Sequence, residues 1–181
     1  MKRRLFLTGP IGCGKSTAIT QGLGDRRNRL KGFVTLREGQ TPKPERFWLE
    51  TLPKRERAVF LDLTGEKPRI DLGVFSGLGV QSLQKGPLLL DEIGGIELLC
   101  PAFLEALEEV LSGEAPVLGV VKLSESSMAL ARCLGLPEQY LAAANHLRCL
   151  LEQDPQTMVY VCERFDPQAQ ALVGQWAERY L

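Results

Sequence analysis

Residues 9–16 read Gly-Pro-Ile-Gly-Cys-Gly-Lys-Ser. They fit the pattern G-x-x-x-x-G-K-[ST] of a loop that wraps phosphate groups. A bound triphosphate needs several backbone N–H groups aimed at it. Gly9, Gly12 and Gly14 allow this, because they carry no Cβ and tolerate positive φ. A helix beginning after the loop adds the positive end of its dipole. Lys15 is expected to reach the β- and γ-phosphates, and the Ser16 hydroxyl to bind Mg²⁺. Pro10, Ile11 and Cys13 fill the variable positions. With Thr17, which can cap or pack beside them, they complete the expected nucleotide-binding segment.

A second chemical signal is Leu88-Leu89-Leu90-Asp91-Glu92. An apolar strand ending in a carboxylate is the partner a phosphate loop requires. Asp91 is expected to hold Mg²⁺ through water. Glu92 is the candidate general base that orients a water for attack on the γ-phosphate. Lys15 and Glu92 are therefore the catalytic candidates, and Ser16 and Asp91 the metal candidates. Phosphoryl transfer also gains from a positive group at the γ-phosphate, worth about 10³–10⁵ in rate when it is an arginine finger. Arg37, Arg46, Arg148 and Lys122 are nominees, and spacing does not choose among them. Without such a cation turnover is slow, or a partner supplies one. His146 is not needed as a base while Glu92 fills that role.

The elements that must position these groups alternate strand and helix. Leu5-Phe6-Leu7 leads into the loop, and a helix runs from Ser16 to about Leu23. Residues 31–36 read as a strand. Residues 47–52 and 58–61 read as antiparallel strands beside the main sheet, entered through Pro42 and Pro44. Leu88-Leu89-Leu90 has the continuous apolar character of a parallel strand buried on both faces. Pro101 opens a helix with Phe103, Leu104, Leu107, Val110 and Leu111 on its apolar side. Residues 117–121 and 158–162 are further strands, and 138–152 a helix. The closing helix, 167–180, carries Leu172, Trp176 and Tyr180 on one face, read as core. The predicted class is α/β, one domain over residues 1–181, with a mostly parallel central sheet flanked by helices and a small antiparallel addition.

Lys and Arg number 22 against 22 Asp and Glu. No global basic field exists, so nucleic acid is not indicated as a partner. No apolar run is long enough for a membrane span. A cleaved leader at the N-terminus would destroy the loop and is rejected. The five cysteines include no C-x-x-C pair, and there is a single histidine. No zinc constellation follows, and free thiols in the cytoplasm are expected.

The stretch Asp91-Glu92-Ile93-Gly94-Gly95-Ile96-Glu97-Leu98 resembles the D-E-I-G-x-M-E-L segment of the thermostable nucleoside-triphosphatase family, called cancer-related nucleoside-triphosphatases in vertebrates. Gly9 to Thr17 resembles its G-P-P-G-x-G-K-[ST]-T loop, and Gly32-Phe33-Val34-Thr35 its G-F-x-T strand. Residues 71–75 sit where the family has G-x-Y-x-V. The likeness covers roughly residues 4–165. It implies a RecA-like P-loop fold and slow, Mg²⁺-dependent hydrolysis of the β–γ bond of ATP, GTP and other nucleoside triphosphates. It carries the family's lysine and Ser/Thr onto Lys15 and Ser16, and its acidic pair onto Asp91 and Glu92. The chain departs from the pattern at Leu36-Arg37-Glu38, at Glu45-Arg46-Phe47-Trp48, at Asn145-His146-Leu147-Arg148 and at Ile96. Two other uses of the same scaffold stay open: a small-molecule or nucleotide kinase, and a nucleotide-driven switch or assembly factor with an unidentified protein partner.

Overall fold

The computed structural model describes residues 1–40, 43–164 and 166–181. The strands are β1 (Arg4–Thr8), β2 (Lys31–Gln40), β3 (Lys43–Leu52), β4 (Arg57–Asp62), β5 (Arg69–Ile70), β6 (Leu88–Ile93), β7 (Val117–Val121) and β8 (Thr157–Val161). The helices are α1 (Lys15–Leu23), α2 (Val80–Ser82), α3 (Pro101–Ser112), α4 (Ser124–Leu134), α5 (Glu138–Gln153) and α6 (Pro167–Tyr180). Pro42, read from the sequence as marking the entry to the antiparallel part, lies outside the described residues.

The strands form one sheet in the order β5-β4-β3-β2-β6-β7-β1-β8. From β2 to β8 in that order every neighbouring pair is parallel. The β3, β4 and β5 strands extend the sheet antiparallel beyond β2. Leu88, Leu89 and Leu90 show why the sheet needs two covers. All three are fully buried, with Leu88 and Leu90 in one apolar layer and Leu89 in the other. Along β1, Phe6 joins the first layer while Leu5 and Leu7 join the second. A strand apolar on both faces must be covered on both. The α3 and α5 helices cover the first through Phe103, Leu107, Tyr140 and Leu147, and α1 and α6 the second through Ile19, Leu23, Val173 and Trp176.

Three features differ from the sequence expectation. The β2–β3 hairpin is longer than residues 31–36 and 47–52 suggested. Its outer pairs, Arg37 with Phe47 and Glu38 with Arg46, carry polar side chains that gave no alternation to read. The α4 helix was not foreseen, because it buries only Ser127 and Ala131. In α6 the fully buried stripe is Ala169, Val173, Trp176 and Ala177. Leu172 and Tyr180 flank this stripe and are only partly buried.

Candidate active site

The loop between β1 and α1 has the backbone that its glycines permit. Gly9, Gly12 and Gly14 take φ values of 147°, 79° and 105°. A Cβ on Gly9 would stand 2.6 Å from the Cys162 carbonyl oxygen, so the loop lies hard against the end of β8. Gly14 caps α1 without a side-chain hydrogen bond, which leaves first-turn N–H groups free for a ligand. Lys15 Nζ donates to the Gly9 and Pro10 carbonyls, 2.8 Å each, and so folds back across the loop. Ile11 projects outward, 74% exposed, and Cys13 is buried beneath the loop.

Asp91 and Glu92 lie on β6, so Glu92 belongs to the strand and not to the loop expected after it. The β6–β7 register passes from Asp91 opposite Val120 to Ile93 opposite Val121, skipping Glu92. Successive side chains of a regular strand point to opposite faces, and a bulge re-aims them. Here both carboxylates line one cavity of 340 Å³. Gly12, Gly14, Lys15, Ser16 and Thr17 form its loop side, and Thr35 and Arg37 of β2 its other side.

The Ser16 hydroxyl lies close enough to the Asp91 carboxylate to favour its charged form. Burial first, and then the Glu92 charge, push Asp91 up to about 6, against the pull of Ser16, Arg27 and Lys15. Glu92 bonds Lys122 Nζ through Oε1, and Arg37 stands 3.7 Å from its Oε2. Ser16 and Asp91 offer adjacent hard oxygen donors, the chemistry Mg²⁺ takes when phosphate and water complete its shell. Among the described residues no cluster of three or more His, Cys, Asp or Glu is placed to hold a metal without such help.

A buried layer supports the acidic pair. Glu97 Oε1 accepts from the Gly94 and Gly95 N–H groups at 2.6 and 2.8 Å. The Tyr140 hydroxyl donates to the Gly94 carbonyl at 2.9 Å. Burial raises the Glu97 carboxyl, against those N–H bonds and the nearby Lys122 charge. Of the four nominated cations, Arg37 and Lys122 reach Glu92. Arg46 is engaged by Glu38 at 3.7 Å and Asp62 at 3.4 Å. Arg148 donates to the Lys122 carbonyl at 3.1 Å, one layer back. His146 faces Glu108 at 3.4 Å. Sequence reasoning missed Thr35, Glu97 and Tyr140 as parts of the site. Thr35 and Glu97 fall within the family-like segments, but nothing marked Tyr140.

Two further cavities adjoin. One of 70 Å³ lies beyond Glu92 and Arg37, against Phe47, Phe60, Glu97 and Lys122. One of 430 Å³ lies on the other flank of the loop, between α1 and the start of α6. A larger hollow of 730 Å³ involves Arg3, Arg4 and Asp154. Its two arginines are paired within the protein, Arg3 with Glu114 and Arg4 with Asp154.

Known proteins resemble this chain in sequence and in fold. A family model described as NTPase matches residues 4–139. The nucleoside-triphosphatase THEP1 of Methanosarcina acetivorans is 27% identical over 131 residues, 65% of this chain and 75% of that protein. The nucleoside-triphosphatase THEP1 of Thermotoga maritima is 32% identical over 133 residues, 67% of this chain and 75% of that protein. The crystal structure of THEP1 from the hyperthermophile Aquifex aeolicus shares the fold, with a TM-score of 0.67 over 98% of both chains at 15% identity. The chain therefore belongs to the NTPase family of P-loop nucleoside-triphosphatases.

Proposed function

We propose that the protein hydrolyses the β–γ phosphoanhydride of nucleoside triphosphates, slowly, with Mg²⁺ and with little choice of base. The observation that carries this reading is the single 340 Å³ cavity walled by the phosphate loop on one side and by Asp91 and Glu92 on the other. Lys15 exchanges the Gly9 and Pro10 carbonyls for the β- and γ-phosphates. Ser16 and Asp91 would hold the Mg²⁺, which would supply positive charge to offset that of the phosphates. Glu92 accepts a proton from the attacking water as the water oxygen bonds to the γ-phosphorus. The bond to the β-phosphate oxygen breaks, giving a nucleoside diphosphate and inorganic phosphate.

Water suits the space. The 70 Å³ cavity beyond Glu92 is roomy enough to hold water. The test is phosphate release from ATP, GTP, CTP and UTP with Mg²⁺ or with a chelator, in the wild type, Lys15→Ala and Glu92→Gln. Release from several triphosphates, lost with the chelator and in both variants, supports the proposal. Release that depends on an added acceptor overturns it.

A further inference from the structure

We propose that the 430 Å³ cavity beside α6 receives the nucleobase, and that Gln21 and Gln170 read its edge without preference. This rests on the triphosphate reading above. The cavity shares Gly12, Gly14 and Thr17 with the phosphate cavity. A nucleotide whose γ-phosphate lies toward Glu92 can therefore pass over the loop and enter this second space. Cys13, Ala18, Cys162, Pro167 and Ala169 give it apolar walls suited to the faces of a flat ring.

The polar lining explains the indifference. Among the described residues, Asp166 is the only carboxylate in this wall. A free carboxylate there would accept from the N1–H and N2–H groups of guanine and select it. Asp166 is already committed to the start of α6. Its Oδ1 accepts from Gln168 N at 3.0 Å and Ala169 N at 3.1 Å, and its Oδ2 from Glu163 N at 3.3 Å. Apart from Thr17, which the phosphate cavity shares, Gln21 of α1 and Gln170 of α6 supply the remaining polar side chains. Both are exposed, and neither side chain makes a hydrogen bond among the described residues. A primary amide donates from one end and accepts at the other, and a half-turn exchanges the two. Adenine and guanine present opposite donor and acceptor patterns on their Watson–Crick edges, and each can be met by such a rotation. The α1 and α6 backbones approach closely here, since a Cβ on Gly22 would stand 2.7 Å from the Gln170 carbonyl oxygen.

The experiment is calorimetric titration of ADP, GDP, CDP and UDP with Mg²⁺ into the wild type, Gln170→Glu and the double variant Gln21→Leu/Gln170→Leu. Inorganic tripolyphosphate, which has no base, is titrated alongside to report the phosphate loop and the folding of each variant. Wild-type dissociation constants should agree within about fivefold. The double variant should weaken all four diphosphates about 3–10-fold, the worth of one or two net hydrogen bonds. Gln170→Glu, now acceptor only, should favour GDP over ADP by about tenfold. A wild-type preference above about 50-fold, or an unchanged GDP-to-ADP ratio in Gln170→Glu with tripolyphosphate still bound, overturns the proposal. Base-indifferent binding without any phosphate release would sink the hydrolase reading and support this one.

Discussion

The Lys122 ammonium bonds the Glu92 carboxylate across the gap between β7 and β6. The two side chains are 17% and 18% exposed, so the pair is sheltered but not sealed. The β7 strand lies between the loop-bearing β1 and the acidic β6. Its last residue, Val121, therefore delivers Lys122 beside Glu92. Arg37 approaches the same carboxylate from β2, on the opposite side of β6.

Replacing Lys122 by Met should then lower kcat about 100-fold, the scale of losing one positioned charge beside developing transition-state charge. KM should change little, because Lys122 is not among the residues lining the phosphate cavity. Lys122→Arg should restore part of the rate. Steady-state phosphate release measures both, and an unchanged kcat in Lys122→Met would remove the residue from the chemistry.

Asp91 trades stability for function. Its folded-state pKa of about 6 lies above the ordinary 3.8. The folded protein thus binds this proton more tightly than the unfolded chain does. The linked stability is fully present below pH 3.8 and is lost as the pH rises through about 6. Asp91→Asn should therefore raise stability at neutral pH, by about 1–3 kcal/mol, while abolishing hydrolysis. Thermal unfolding should show the gain at neutral pH and little of it near pH 4, where Asp91 is already protonated. A variant less stable than wild type at neutral pH contradicts this.

The phosphate loop and the acidic pair were legible because their chemistry is carried by backbone freedom and residue order, which a sequence displays directly. Continuous apolar runs such as Leu88-Leu89-Leu90 displayed the two-sided sheet for the same reason. The choice among Arg37, Arg46, Arg148 and Lys122 was not legible. It depends on which strand ends lie side by side, and β7 between β1 and β6 is a fact of topology. The bulge at Glu92 is equally invisible, since it exists only relative to β7. Tyr140 reads as one more aromatic residue in a helix until its hydroxyl is found on the Gly94 carbonyl.

Gly119 tests the packing of the central strands away from the chemistry. It lies between Phe6 of β1 and Leu90 of β6 in register. A Cβ there would stand 2.7 Å from Phe6 Cε1 and 2.8 Å from the Leu90 carbonyl oxygen. The ring is fully buried and the carbonyl is backbone, so neither yields easily. Gly119→Ala should cost about 1–3 kcal/mol, as overpacked cores do. Urea unfolding should show a lower midpoint, and an unshifted midpoint would mean that the sheet accommodates the methyl group.

Arg4 gives the sharpest electrostatic test of the fold. Its side chain is 4% exposed, begins β1, and pairs with Asp154 at 2.5 Å. A second guanidinium nitrogen bonds the Gly113 carbonyl, while Nε is buried without a hydrogen-bond partner among the described residues. Burial alone would raise the Asp154 carboxyl, but bonds from Thr157, the Gln156 N–H and Arg4 outweigh it and hold the group below its ordinary range. A depressed carboxyl stabilises above its unfolded value of 3.8, and that stability is lost as the pH falls through the lower folded value. Asp154→Ala leaves a buried guanidinium charge without its counter-ion, which should cost about 3 kcal/mol at neutral pH. The gap between wild type and variant should narrow as the pH falls below about 4, because the wild-type carboxylate is then being neutralised as well. Urea unfolding at a series of pH values follows the gap directly, and a cost that stays constant into acid would mean that Asp154 acts through its hydrogen bonds and not through its charge.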